Sequence, residues 1–533
     1  MTKDLFAQEA LAQIPKILTL LDRNPHSPTY GCFDRTFWQY KVIDFPAGMS
    51  QEFVYPLALA YHTALEGNQF YQQPVLKDWI EAGILYAAKS AHPNGSCDDY
   101  FPYERAAGAA AFSLLACIDS YELMGLDNPE ILAFFLKRAD WLAHHQESGR
   151  LTNHQALIVL CLALLSRLLK SDRWDKSKAE RLEQVLSWQN PEGWFQEYEG
   201  CDPGYHTLTI SCLARVYELN PNNRLKDAIA KAVLLAAQFV HPDGSYGGEY
   251  TSRNTYNFFP HGFELVGKWL PKALNINDRF LQGLAKGLAP CYADDRIIGH
   301  HTWNYLLAWR DYIPVRPPIK ALPQGRFYLE EGGILIDRRD TTELYLALNK
   351  GGVFKLFQDG KLIVSDTHFS LQVREGKKLK NAVGHLVSNY QVTLEADKIT
   401  IAGSLGWAKQ KQMNSLNLIG LRLVMLSIGR FYPNLIRSIL QKILITGKNQ
   451  APFQFKRVLT WSDGAWHILD ELSAESWSKV VAAGIGCDQT SIYVVMSRTF
   501  QPGQLQPWLD LTERVQQLET GATLKLQRSL VTL

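Results

Sequence analysis

The chain has 533 residues, with 55 Lys and Arg against 53 Asp and Glu, a formal charge of +2, and 46% hydrophobic residues. That balance excludes a disordered, collagen-like or low-complexity chain and gives no global reason to expect nucleic acid as a partner. At roughly 100–200 residues per domain the length predicts two or three domains and assures a sizeable core.

The first ten residues carry acids early and lack an apolar segment of signal-peptide length, so a cytoplasmic location is expected. Eight cysteines (32, 97, 117, 161, 201, 212, 291 and 487) are scattered without a CxxC, several of them inside apolar helical patterns. They are expected to be reduced core residues.

To about residue 312, apolar residues recur at helical spacing in about twelve segments separated by Gly, Pro, Asn and Asp punctuation. Clear examples are 104–124, 153–170, 205–219 and 224–240. Pro93-Asn-Gly-Ser96, Pro191-Glu-Gly-Trp194 and Pro242-Asp-Gly-Ser245 repeat one turn between helices. Pro191 lies 98 residues after Pro93 and 51 before Pro242, with the Asn153 turn near the missing midpoint. A period of one helix pair predicts about six hairpins closed into an (α/α) toroid around a groove, with an open helical solenoid as the competitor.

Residues 313–324 hold four prolines and read as a linker. Beyond it short β-rich runs follow: 326–336, 342–348, 353–358, 361–365, 385–395, 398–402, 454–461, 465–470 and 490–496. Several alternate with period 2, which predicts an antiparallel β-sandwich over 325–533. The expected fold class is therefore α+β multidomain, a toroid over 1–312 followed by the sandwich.

An insertion at about 404–450 interrupts the β pattern. Residues 398–462 contain ten Lys or Arg and no Asp or Glu, and 415–446 reads as two apolar helices broken at Pro433. Neither half is long enough to span a bilayer comfortably. One reading is a basic hairpin lying on an anionic membrane at its inner face, or binding a partner. The other is a hairpin packed on the sandwich or toroid with its basic residues solvated.

No zinc-type Cys/His cluster, Walker loop, GxSxG elbow or GxGxxG after a strand is present. No metal and no cofactor is expected. What remains is polar and aromatic residues at helix-start loops, where they would ring a groove. Asn153 and His154 open an apolar helix, and Asn there is also a good N-cap. Tyr205 and His206 stand at the next such start, where they would otherwise pack the turn. Arg253, Asn254, Tyr256 and His261 fall in a polar aromatic loop, and His300 and His301 precede the last toroid helix. Arg35, Trp38, Tyr103, Arg105 and Trp194 are further candidates for stacking on sugars or pairing with acid groups.

An Asn-His pair at a helix start and a Tyr-His pair about fifty residues on, in a toroid with a C-terminal β-sandwich, resemble the alginate lyase and heparinase II/III polysaccharide lyases. The resemblance implies metal-independent β-elimination on an acidic, uronate-containing polysaccharide or oligosaccharide. It places carboxylate neutralisation on Asn153, assistance or base work on His154, and acid or acid/base work on Tyr205. It also implies a histidine near the start of the β domain. The corresponding stretch 349–357 has none, and His368 and His385 are the nearest. Two other readings stand beside it. One is a toroid glycoside hydrolase using two carboxylates drawn from Asp98, Asp99, Glu104, Glu197, Glu199, Asp202 and Glu249. The other is a non-catalytic carbohydrate-binding protein.

Overall fold

The computed structural model describes residues 3–198, 200–288, 298–387, 389–408, 414–441, 449–487, 505 and 508–530. The expected strand 490–496, Glu199, Cys291 and the end of the hairpin at 442–446 lie outside them.

Six helices form a closed inner ring: Val54–His62, Ala107–Leu123, Thr152–Leu169, Pro203–Leu219, His261–Gly267 and Ile298–Arg310. Each packs on the next, and the last packs on the first. The outer layer includes Pro74–Ser90, Pro129–His144, Asp175–Ser187, Asn223–Ala236 and Lys272–Ala285, with Asp4–Leu11 against the sixth inner helix. This is the expected toroid, closed rather than open. The inner helices read apolar all round because they are buried on every side: 13 of the 18 residues of Thr152–Leu169 are buried. That helix is also long and apolar enough to cross a membrane by composition, and here it is a core helix of the ring.

The three Pro-x-Gly turns are structurally the same. In each, the carbonyl of the residue three before the glycine accepts from the glycine N–H, as in Gly95 to His92 (2.8 Å), Gly193 to Asn190 (2.8 Å) and Gly244 to His241 (3.0 Å). All three glycines have positive φ, and each lies against an outer helix: Gly95 on Arg138, Gly193 on Lys231 and Gly244 on Gly283. The repeat in the sequence is thus a repeated backbone approach that a side chain would block.

The chain leaves the toroid at Arg310 and enters its first β-domain strand at Gly325. Strands Gly325–Leu329, Ile334–Arg339, Thr342–Ala347, Val353–Gln358 and Lys361–Asp366 form a five-stranded antiparallel meander. A nine-stranded antiparallel sheet covers it, built on the long pair Lys398–Trp407 and Gln450–Ser462. The meander lies between two cores. Ile334, Ile336, Tyr345, Val353 and Phe357 join the toroid core, while Leu335, Leu344, Leu346, Phe354 and Leu356 join the core between the sheets. Alternate residues therefore face opposite layers, both dry, which is why these strands read as nearly continuous apolar runs. The sequence reading missed Phe369–Glu375, Lys378–Val383 and Thr523–Leu530, whose exposed faces carry Lys, Arg and Gln.

The insertion forms helix Ser415–Val424, a π-helical turn Met425–Gly429 and helix Pro433–Gln441, broken before Pro433 as expected. It leaves the sandwich and reaches the toroid, where Arg422 pairs with Asp44 (3.1 Å) and the Asn434 amide donates to Gln146 O (2.9 Å).

Candidate active site

At the end of the toroid reached by the hairpin lies a chamber of about 300 Å³ whose walls include Glu104, Glu147, His154, Tyr205, Arg253, His300 and Arg437. The starts of several inner helices and the loops before them supply most of these groups, because the helix-start loops converge at one end of a closed ring.

His154 is the third residue of its helix, with its ring against Gly108 of the preceding inner helix. A Cβ on Gly108 would lie 2.5 Å from His154 Cε1, so the glycine makes the seat for the ring. The His154 Nδ1 atom stands 2.7 Å from Glu147 Oε2. Burial acts to raise the Glu147 pKa, but His154 and Arg437 outweigh it and hold the carboxyl at about 2. An ionised Glu147 accepts only, so His154 Nδ1 carries the hydrogen of this contact and Nε2 is the ring nitrogen left for a substrate. Arg437 pairs with the same Glu147, bringing a guanidinium from the β-domain insertion into the chamber wall.

Tyr205 follows Asp202, whose carboxylate caps the helix by accepting from the Tyr205 N–H (3.0 Å). Burial pushes the Tyr205 hydroxyl up to about 12 against the opposing charge of Arg253. The phenol is therefore neutral at ordinary pH and available as a proton donor. The Arg253 guanidinium lies over Tyr205 (4.2 Å to the ring centroid) and Tyr198 (4.8 Å), with Glu197 at 3.3 Å.

A second histidine lines the opposite inner helices: His300 Nδ1 is 2.6 Å from Glu52 Oε1, and its ring stacks on Phe112 at 3.8 Å.

Other candidates are placed elsewhere. Asn153 is buried behind the wall, its Nδ2 and backbone N–H donating to Glu197 (2.8 and 2.9 Å). Leu151, not Asn153, occupies the N-cap position. Burial raises the Glu197 pKa, and Arg253 and Asn153 act against that rise. The amide expected to meet a substrate carboxylate is thus committed to an internal one. His206 bonds Ala232 O (2.9 Å) toward the outer layer, and burial lowers its pKa to about 4. His261 pairs with Asp311 (2.7 Å), and His301 stacks on Phe259 in the core, its pKa lowered to about 3 by burial and by His300. His300, rather than its neighbour, faces the chamber.

Asn254 accepts from Lys350 Nζ (2.6 Å) and the Tyr256 hydroxyl from Lys355 Nζ (2.9 Å), so both belong to the seam between the domains. Trp194 is at the same seam, donating to Glu192 (2.8 Å), which in turn accepts from Gly332 N (3.1 Å). Trp38 donates to Leu20 O, and Arg35 lies over Tyr40. Tyr103 and Arg105 line a neighbouring cleft with Arg430 and Phe431 of the hairpin.

Of the carboxylates weighed for hydrolysis, Asp99 and Glu104 line the chamber, and four have neighbours that hold them. Glu104 accepts from Tyr100 N (2.8 Å), Asp98 from Tyr103 N (2.7 Å), Asp202 caps its helix, and Glu249 pairs with Lys355 (3.2 Å). His368 and His385 are outside the chamber wall. Among the described residues no group of three or more His, Cys, Asp or Glu side chains is placed to hold a metal ion.

Sequence reasoning missed Glu147, Gly108 and Arg437. The loop holding Glu147 fills the midpoint where the Pro-x-Gly repeat skips a turn, which is the one signal that it differs from its counterparts.

The arrangement of a closed helical toroid followed by an antiparallel β-sandwich is also found among solved structures. Among solved structures the chain is similar to a Paenibacillus xanthan lyase, with a TM-score of 0.52 and 11% identity over 91% of this chain and 47% of the other. It spans about half the length of that enzyme. A chondroitin AC lyase from Streptomyces coelicolor gives a TM-score of 0.48 and 10% identity, covering 91% of this chain and 68% of that one. No protein-family model and no curated relative matches the sequence.

Proposed function

We propose that the chain cleaves an acidic, uronate-containing saccharide by β-elimination, with His154 as base and Tyr205 as acid. The observation that carries this reading is one chamber holding a Glu-oriented histidine, a neutral buried tyrosine and two arginines.

The chemistry needs those groups. A proton α to a carboxylate is hard to remove because charge develops beside an existing anion, so cations must meet the carboxylate. Arg253 and Arg437 supply them, in place of Asn153. His154 Nε2 takes the C5 proton, the electron pair forms the C4–C5 double bond, and the C4–O4 bond breaks. Tyr205 returns a proton to the departing O4. Glu147 holds the His154 ring in the tautomer that leaves Nε2 free to accept.

The test is ultraviolet absorbance of the unsaturated product with alginates, glycosaminoglycans and bacterial acidic exopolysaccharides. The expected result is a signal that Tyr205→Phe abolishes with little change in stability. A fully active Phe variant overturns the assignment of Tyr205. Silence across the panel with retained saccharide binding would replace it with a groove that holds its polymer without cutting it.

A further inference from the structure

The hairpin 415–441 is attached the wrong way round for a helix packed on a soluble core. Polar pairs tie it to the toroid, Arg422 to Asp44, Asn434 to Gln146 and Arg437 to Glu147, with the Arg422 guanidinium also over the Phe45 ring (5.3 Å). Most of its apolar side chains are exposed. Leu416 is 80% exposed, Leu423 62%, Ile428 61% and Phe431 64%, and Leu426, Leu435 and Ile439 are exposed with them. Within the helices and turn, Met425, Gly429 and Pro433 are the buried exceptions. An apolar surface this continuous on one small element marks a contact with another phase or molecule.

We infer that this face docks on an anionic lipid surface. Charge selects that occupant. No Asp or Glu occurs in 398–462, and Arg430 at the tip makes no ion pair among the described residues, lying instead over Phe431 (4.6 Å). Lys409, Lys411, Lys442 and Lys448 flank the hairpin in sequence. Apolar side chains with cations and no acids are the chemistry of an interfacial helix on negatively charged headgroups. Phe431 and Tyr432 at the break between the helices add aromatic rings suited to the headgroup level. A second copy would instead bring a like-charged face against this one. Length excludes a span: Ser415–Gly429 is 15 residues, against about 20 needed to cross.

The consequence for the chamber is positional. Arg437 belongs both to the hairpin and to the chamber wall, so docking holds the chamber at the bilayer surface, facing saccharide that is lipid-linked or close to the membrane. The docking inference does not depend on which reaction the chamber performs.

The experiment is co-sedimentation of the full chain with vesicles of phosphatidylcholine alone and of phosphatidylcholine mixed with phosphatidylglycerol, at low and high salt. Binding is expected only to the anionic vesicles and weakened by salt. The combined variant Leu423→Ser, Leu426→Ser, Ile428→Ser and Phe431→Ser alters exposed positions, so its melting temperature should match the parent. Its partitioning should fall about a hundredfold, and that of Arg430→Glu about tenfold. Absence of binding to anionic vesicles at low salt, or undiminished binding by the combined variant, overturns the inference. A lipid-free dimer that the combined variant abolishes overturns it in favour of a second copy.

Discussion

At the residue scale, the His154 ring depends on two neighbours of opposite kind. Gly108 gives it room and Glu147 gives it direction. Gly108→Ala inserts a methyl where the ring sits, and a displacement of that size in a base costs about tenfold to a hundredfold in kcat. Steady-state kinetics beside an unchanged thermal melt would check it, and full activity would remove His154 from the base role. Glu147 links the site to acid stability. Its pKa is depressed from 4.5 to about 2, so its contribution to folding is complete above about pH 4.5 and is lost as pH falls toward 2. Urea denaturation across that window should show a flatter acid limb for Glu147→Gln than for the parent.

At the element scale, the Pro-x-Gly turns and the strands of the meander show why some of the sequence was legible. A Pro-x-Gly repeat reports a backbone constraint, and the structure has the same hydrogen-bonded turn at all three places. Gly244→Ala would bring a side chain to 2.4 Å from Gly283 N at a φ of +92°. The expected loss is about 2–4 kcal/mol, read from chemical denaturation. The basic character of 398–462 was equally visible, yet its members divide sharply once folded. Arg457 is buried between Asp366 (3.0 Å) and Asp470 (2.7 Å) and holds the sandwich together, whereas Arg430 is exposed at the hairpin tip. Strand position decides this: Arg457 pairs in register with Asp470 on the neighbouring strand.

At the scale of the whole molecule, the domains are joined by buried lysines. Lys350 Nζ bonds Asn254 and the Glu249 carbonyl, and Lys355 Nζ meets Glu249 and Tyr256, all within the toroid loop 249–256. Arg338 adds bonds to Gln238. Lys355→Met leaves Glu249 buried beside Tyr256 without its cation, a change worth about 3 kcal/mol. Calorimetry should show one cooperative transition in the parent and an earlier melting of the toroid side in the variant. An unchanged transition would show that the seam is carried by the apolar contacts alone.

The sequence by itself determined the toroid, the sandwich and the Pro-marked break in the hairpin, because helical period, strand alternation and turn chemistry are local properties. It also brought forward His154, Tyr205 and Arg253, which stand at loop and helix-start positions. Only the tertiary structure decided which side chain of each pair faces the chamber: His300 rather than His301, Tyr205 rather than His206, His154 rather than Asn153. Adjacent helical residues point about 100° apart, and the phase of each helix is set by its neighbours in the ring. The Glu147, Arg437 and Gly108 contacts were beyond local reading for the same reason, since they join an outer-helix loop, a β-domain insertion and an inner helix that meet only when the ring is closed.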